Sequence, residues 1–249
     1  MRQKEFRDLV LIHGWGFDSR IWKNFILHLE DQWKITCIDL PGYGARKKSA
    51  NVDIDQIVSN VEIDIPKNAV LFAWSLGGVI AMKLAHRRND IKALVLVASS
   101  PCFLKKQDWQ HGVEPADFNK LVSQLSKDKI KTLHTFAGLV AAGEKHPRQT
   151  IKELNELLVD GVPEQETLMS GLEILRDEDL RPALAKLLCP VGVILGENDI
   201  LVKCSTGKAI QESRSDIYTI KIPETGHAPF LSRPQETADA LMKLTASFF

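Results

Sequence analysis

Short apolar runs punctuate the chain: Asp8–Ile12, Ile35–Ile38, Ala69–Ala73, Ala93–Val97, Val191–Leu195 and Ile217–Ile222. Most are continuously apolar rather than alternating. That pattern predicts strands buried on both faces, as in a parallel sheet covered by helices. Stretches of helical spacing lie between them. Leu76, Val79, Ile80 and Leu84 share one face after the third run, and Ala238, Leu241, Met242, Leu244 and Phe248 predict a closing C-terminal helix. Strand alternating with helix predicts an α/β fold with a mostly parallel, doubly wound sheet.

The alternation breaks between about Cys102 and Pro182. Phe118, Leu121, Val122 and Leu125, then Leu133, Phe136, Ala137 and Val140, then Ile151, Leu154, Leu157 and Leu158 read as helices with no convincing strand among them. The expected organisation is a core of residues 1–101 and 184–249 carrying an all-helical cap, residues 102–183. Such an insertion sits at the carboxyl end of the sheet, where α/β folds bind ligands.

Composition narrows the class. The 249 residues suit one domain with an insertion, and 44% hydrophobic with 26% charged residues is ordinary for a globular protein. Lys plus Arg equals Asp plus Glu at 32 each, which argues against nucleic acid or an anionic membrane as the main partner. The N-terminus lacks a signal-peptide pattern, and no apolar run approaches the roughly 18 residues of a membrane span. Cys37, Cys102, Cys189 and Cys204 are far apart and the histidines are scattered. A reduced, cytoplasmic, monomeric protein without metal or cofactor is expected.

The candidate chemistry begins at FAWSLGG, residues 72–78, where the third apolar run ends in Ser75. A serine flanked by small residues between a strand and a helix is the nucleophile elbow, G-x-S-x-G, here with Ala73 in the first glycine position. The plainer alternative is a serine that caps the following helix. A serine nucleophile needs a base, and the base needs an orienting acid. In this architecture they follow as serine, acid, histidine at successive strand ends. The run ending at Leu195 leads into Gly196-Glu197-Asn198-Asp199, and the run ending at Ile222 leads to His227. Asp199 is the expected acid, Glu197 its rival, and Cys102 a rival nucleophile without elbow glycines. The oxyanion donors are expected to be the N–H groups of Leu76 and of Trp15, the latter in the His13-Gly14-Trp15-Gly16 loop. The Trp15 and Trp74 side chains are expected to line an acyl pocket.

LVLIHGWG, DLPGYG, WSLGG, GEND and GHAPF resemble the α/β-hydrolase superfamily along essentially the whole chain. HGWG, WSLGG, ASSPCF and GLEIL more narrowly resemble the BioH family, the carboxylesterases that demethylate pimeloyl-acyl-carrier-protein methyl ester in biotin synthesis. The resemblance implies Ser75, Asp199 and His227 as triad, Trp15 and Leu76 as oxyanion donors, and Phe136 beside the acyl chain. It implies an acyl carrier protein as partner, docked on cap cations that match Lys131, Arg148 and Lys152, with Thr135 where a further basic residue would stand. Residues 120–152 hold seven cations against two acids, a local basic excess suited to an acidic partner. The chain departs from the superfamily at Ala73, at Ala45-Arg46 after DLPGYG, and in a leading hairpin expected to be short or absent, leaving about six strands. A general short-chain esterase or thioesterase, and a ligand receptor on a hydrolase scaffold, are the competing functions.

Overall fold

The computed structural model describes residues 7–29, 31–47, 53–159 and 161–249. In chain order its elements are β1 (Arg7–Ile12), α1 (Lys23–Ile26), β2 (Trp33–Ile38), α2 (Ile54–Glu62), β3 (Val70–Trp74), α3 (Leu76–Arg87) and β4 (Ala93–Val97). Then follow α4 (Pro115–Lys127), α5 (Lys129–Val140), α6 (Pro147–Val159), α7 (Gln165–Asp177), α8 (Arg181–Leu184), β5 (Val191–Gly196), α9 (Ser205–Ser213), β6 (Tyr218–Ile222), α10 (Pro229–Ser232) and α11 (Pro234–Phe248).

The strands form one sheet in the order β2-β1-β3-β4-β5-β6, and every pairing is parallel. The continuous apolar runs account for this. All residues of β3, β4 and β5 are buried, whereas the outer strands β2 and β6 keep partly exposed positions. The expected leading hairpin concerns residues ahead of Arg7, which lie outside the described residues. Helix α3 packs on β1, β3 and β4, and α11 on β4, β5 and β6. Parallel strands put all their carboxyl ends on one edge of the sheet. Residues 75, 199 and 227 follow β3, β5 and β6 there, and the His13 loop follows β1.

Helices α4 to α8 occupy the interval between β4 and β5. Helix does not fill it throughout. Residues 102–113 are irregular and held by isolated bridges, Cys102 to Asp179, Leu104 to Val113 and Lys106 to Trp109. The expected junction at 183/184 falls inside α8, because Pro182 opens that helix rather than ending a segment. Among the described residues no helix is long and apolar enough to cross a membrane.

Two loops at the carboxyl edge are joined backbone to backbone. The Glu197 N–H donates to the Ile222 carbonyl at 3.0 Å and the Asn198 N–H to the Thr225 carbonyl at 2.9 Å. A Cβ on Gly196 would overlap the carbonyl oxygen of Gly226, so this approach requires glycine at 196. Gly196→Ala is expected to cost about 1–3 kcal/mol or more, as overpacking in a rigid backbone contact does. A thermal melt within 1 °C of the parent, roughly, would show that the two loops separate without cost.

Candidate active site

Strand β3 delivers Ser75 into a turn with φ 53° and ψ −117°, a backbone conformation that costs a non-glycine residue of the order of 1–3 kcal/mol. The turn is tight because its neighbours lack side chains. A Cβ on Gly77 would strike the carbonyls of Ile12 and His13, and one on Gly78 would strike the Ser99 hydroxyl. Ala73 lies within β3, fully buried, and the turn forms without a glycine there. Ser75 makes no side-chain cap to α3. Its Oγ instead lies 2.9 Å from Nε2 of His227.

His227 is held on every side. Its Nδ1 is 2.8 Å from Oδ2 of Asp199, its N–H donates to the Val140 carbonyl at 2.9 Å, and its carbonyl accepts from Trp74 Nε1 at 2.8 Å. Asp199 Oδ1 accepts from the N–H groups of Leu201 and Val202 at 2.8 and 2.9 Å. The carboxylate therefore has one oxygen fixed by backbone and the other free for the imidazole, so Nδ1 carries the shared proton and Nε2 faces the serine as acceptor. Ser75, Asp199 and His227 are all buried. Glu197 is exposed and accepts from the Glu224 N–H at 3.2 Å, and the contacts of the imidazole nitrogens are with Asp199 and Ser75. Cys102 is buried with its thiol on the Leu104 carbonyl, and burial raises its pKa, which suppresses the thiolate.

The loop after β1 is set by a buried histidine. The Leu40 N–H donates to His13 Nε2 at 2.9 Å, which leaves Nδ1–H to donate to the Gly14 carbonyl at 2.8 Å. Burial lowers the His13 pKa and keeps this neutral tautomer. Gly14 lies against the Trp74 ring, where a Cβ would come to 2.8 Å. Trp15 is anchored across the site, its Nε1 donating to the Leu168 carbonyl of α7 at 2.7 Å and its ring meeting Phe136 edge-on at 4.8 Å. The Leu76 N–H opens α3 and so has no helical carbonyl behind it.

Above Ser75 and His227 lies a cavity of about 330 Å³. Its walls include Trp15, Phe136, Leu139, Leu172 and Leu175, and the polar side chains of Lys120, Gln124 and Thr135 also line it. Trp74, expected on this wall, is elsewhere. It is fully buried among Phe17, His227 and Phe230 and supports the histidine from behind. A run of apolar letters beside an elbow does not distinguish a wall residue from a buttress. Ser99, Leu201 and Val202 carry no signal in the sequence: Leu201 and Val202 orient Asp199 through backbone N–H groups, Leu201 also lining the cavity, and Ser99 reaches the Ser75 carbonyl.

The basic residues are less concentrated than their spacing suggests. Lys131, Arg148 and Lys152 are exposed, the first on α5 and the others one turn apart on α6. Lys120, Lys129, Lys145 and Lys152 pair with Asp117, Glu164, Glu224 and Glu156, all outside the 120–152 stretch. Among the described residues, Lys127, Lys131 and Arg148 of that stretch have no ion pair. Thr135 is tied to Gln124 at 3.0 Å.

A second, polar cavity of about 300 Å³ lies beside the loops at the carboxyl edge of the sheet and is lined by Glu144, Glu224, Ser232 and Arg233 among others. The turn bearing Glu144 grips those loops, with Asn198 Nδ2 donating to the Gly143 carbonyl at 2.9 Å. Burial pushes the Glu144 carboxyl from 4.5 up to about 7, although Thr150 donates to it at 2.6 Å. A carboxyl whose pKa is raised on folding binds its proton more tightly in the folded state. Its contribution therefore favours folding below about pH 4.5 and is lost as pH rises to about 7. Glu144→Gln is expected to raise the melting temperature at pH 8 by about 3 °C and to flatten the fall in stability across that window. An unchanged pH–stability curve would contradict this.

The sequence pattern of the alpha/beta hydrolase family matches residues 9–240. The chain is 33% identical over 231 residues to the pimeloyl-acyl-carrier-protein methyl ester esterase of Nitrosomonas europaea, covering 92% of each protein. It is 35% identical to the protein of the same name from Proteus mirabilis, over 94% of this chain and 91% of the other. Among solved structures, an esterase from Exiguobacterium antarcticum superposes with TM-score 0.85 at 21% identity, over 96% of this chain and 92% of that one. A bromoperoxidase from Bacillus anthracis gives the same TM-score at 19% identity, over 97% and 92%. Those two likenesses establish the fold. With the sequence matches spanning nearly its whole length, the chain belongs to the alpha/beta hydrolase family and, within it, to the family of the pimeloyl-acyl-carrier-protein methyl ester esterases.

Proposed function

We propose that this protein is a serine carboxylesterase that hydrolyses the methyl ester of pimeloyl-acyl carrier protein in biotin synthesis, acting in the cytoplasm as a monomer and without a cofactor. The observation that carries the reading is the Asp199–His227–Ser75 relay, with contacts of 2.8 and 2.9 Å, on the floor of a largely apolar cavity. In this reading residues 102–183 are a cap on a core of 1–101 and 184–249.

The chemistry follows from the contacts. His227 Nε2 takes the Ser75 proton as Oγ adds to the ester carbonyl. Asp199 stabilises the resulting imidazolium through Nδ1–H. The Leu76 and Trp15 N–H groups receive the negative charge on the carbonyl oxygen, each such donor contributing roughly 2.7–4 kcal/mol to lowering the barrier. Methoxide leaves with the proton returned by His227, giving methanol and an acyl-Ser75. Water, deprotonated by the same imidazole, then releases the carboxylate and restores the serine. The apolar walls suit a neutral ester and an alkyl chain, whereas the free carboxylate product is poorly solvated there and is driven out. Phe136 and Trp15, packed edge-on, form one side of the slot for that chain.

The carrier is proposed to dock on Lys131, Arg148 and Lys152. Acyl carrier proteins are acidic, and exposed cations steer such a partner and fix its orientation more than they add affinity. Lys131 lies one turn from Thr135, which lines the cavity and whose hydroxyl donates to the Lys131 carbonyl at 2.9 Å.

The direct test is methanol release from methyl-pimeloyl carrier protein compared with free methyl pimelate. Equal kcat/KM for the two would sink the carrier reading and leave a general esterase. Ser75→Ala is expected to lower kcat by about 10⁶-fold, as loss of a triad nucleophile does. Asp199→Asn should also be severe and Glu197→Gln mild; the reverse ranking would move the acid to Glu197. Charge reversal at Lys131, Arg148 and Lys152 together is expected to raise KM for the carrier-bound ester at low salt and weaken its salt dependence, with p-nitrophenyl butyrate turnover nearly unchanged. An unchanged kcat/KM for the carrier substrate would place the docking surface elsewhere.

A further inference from the structure

We propose that Ser99 is a positioning residue for ester hydrolysis: its hydroxyl fixes the peptide plane between Ser75 and Leu76 and so aims the Leu76 N–H at the developing oxyanion. This rests on the reading of Ser75 as nucleophile and Leu76 as oxyanion donor.

Ser99 is 1% exposed and does not line the cavity, so it does not touch substrate. Its Oγ donates to the carbonyl oxygen of Ser75 at 2.8 Å. That oxygen also accepts from the Gly78 N–H at 2.9 Å. The amide is planar and trans, so its N–H points opposite to its C=O in one rigid plane. Two donors gripping the oxygen therefore set the direction of the N–H on the far side.

The grip is needed because the local backbone does not supply it. With φ 53° and ψ −117°, Ser75 lies outside the favoured basins, and no intrinsic preference holds the following plane. The strand next door supplies the restraint. The Ser75 N–H donates to the Val97 carbonyl at 3.0 Å, so Val97 holds the peptide before the nucleophile and Ser99 the peptide after it. Between them Ala98 takes φ 43°, with its own N–H on the Ile194 carbonyl at 2.8 Å. That turn swings Ser99 toward the elbow. Gly78 completes the fit, since any side chain there would displace the Ser99 hydroxyl. The second glycine of SLGG thus makes room for this contact, while the first relieves the close approach to β1.

The experiment uses the full-length protein and its Ser99→Ala and Ser99→Thr variants. Five quantities are read: kcat and KM on p-nitrophenyl butyrate, inhibition by butylboronic acid, inhibition by butyrate, and labelling of Ser75 by a fluorophosphonate. The boronic acid forms a tetrahedral adduct that uses the oxyanion donors, whereas butyrate is a planar product. Ser99→Ala is expected to lower kcat about tenfold or more and to weaken boronate affinity by a similar factor. KM and butyrate inhibition should stay within about twofold. Ser99→Thr, which keeps the hydroxyl, should recover most of the loss; where it does not fold, the parallel fall of kcat and boronate affinity in Ser99→Ala carries the proposal. Ser99→Ala with kcat and boronate affinity within about twofold of the parent overturns it, as does an equal loss of butyrate binding, which marks general disruption. Failure of the fluorophosphonate to label Ser75 in the parent overturns the esterase reading itself. Labelled parent with an indifferent Ser99→Ala overturns the positioning role alone.

Discussion

A parallel sheet brings strand ends to one edge, but it does not hold a side chain in a strained pose. That restraint comes from neighbouring backbone. Ser75 occupies positive φ, and its flanking groups are fixed by Val97 and Ser99 at the end of β4 and by the start of α3. The elbow depends on this clamp, and the clamp depends on the register that sets Trp74 opposite Val97. A slip of one residue between β3 and β4 would turn every side chain to the other face and leave the Ser75 N–H without its acceptor.

The same logic extends outward. Asp199 is oriented by two amides of its own loop, and that loop is stitched to the next by the contact of Gly196 with Gly226. His227 is then gripped by Val140 from α5 and by Trp74 from the elbow. The imidazole thus reports on both the sheet and the helices above it. Packing beneath the helices buries Ser75, Asp199 and His227, and the lower local dielectric strengthens each of these polar contacts. It also leaves Glu144 buried at the junction, a carboxyl with a raised pKa that the proposed chemistry does not use.

Much of the site was legible because its chemistry demands particular residue types at particular strand ends. The order of Ser75, Asp199 and His227 after apolar runs is a one-dimensional fact, and parallel pairing converts it into proximity. Other assignments needed three dimensions. Trp74 and Trp15 both lie near glycines in the sequence, yet one is a buttress and the other a wall, since the Trp74 indole is hydrogen-bonded to the His227 carbonyl and the Trp15 indole, which lines the cavity, to Leu168 of α7. Ser99 reads as an ordinary loop serine until the Ala98 turn places it on the Ser75 carbonyl. The charge balance of the basic stretch is only partly local: Asp117 and Glu156 are helical neighbours of Lys120 and Lys152, whereas Glu164 and Glu224 meet Lys129 and Lys145 only on folding.

By itself the sequence determined the parallel sheet, the helical interval between its fourth and fifth strands and the residue types of the relay, because hydrophobic periodicity and strand-end position are local properties of the chain. Tertiary structure alone decided that Trp74 lies behind the histidine and that Ser99 holds the elbow, and it set Asp199, the acid expected from the sequence, against the imidazole. Those outcomes turn on the directions of side chains and amide planes at contacts between residues distant in sequence, and such directions exist only once the strands are in register.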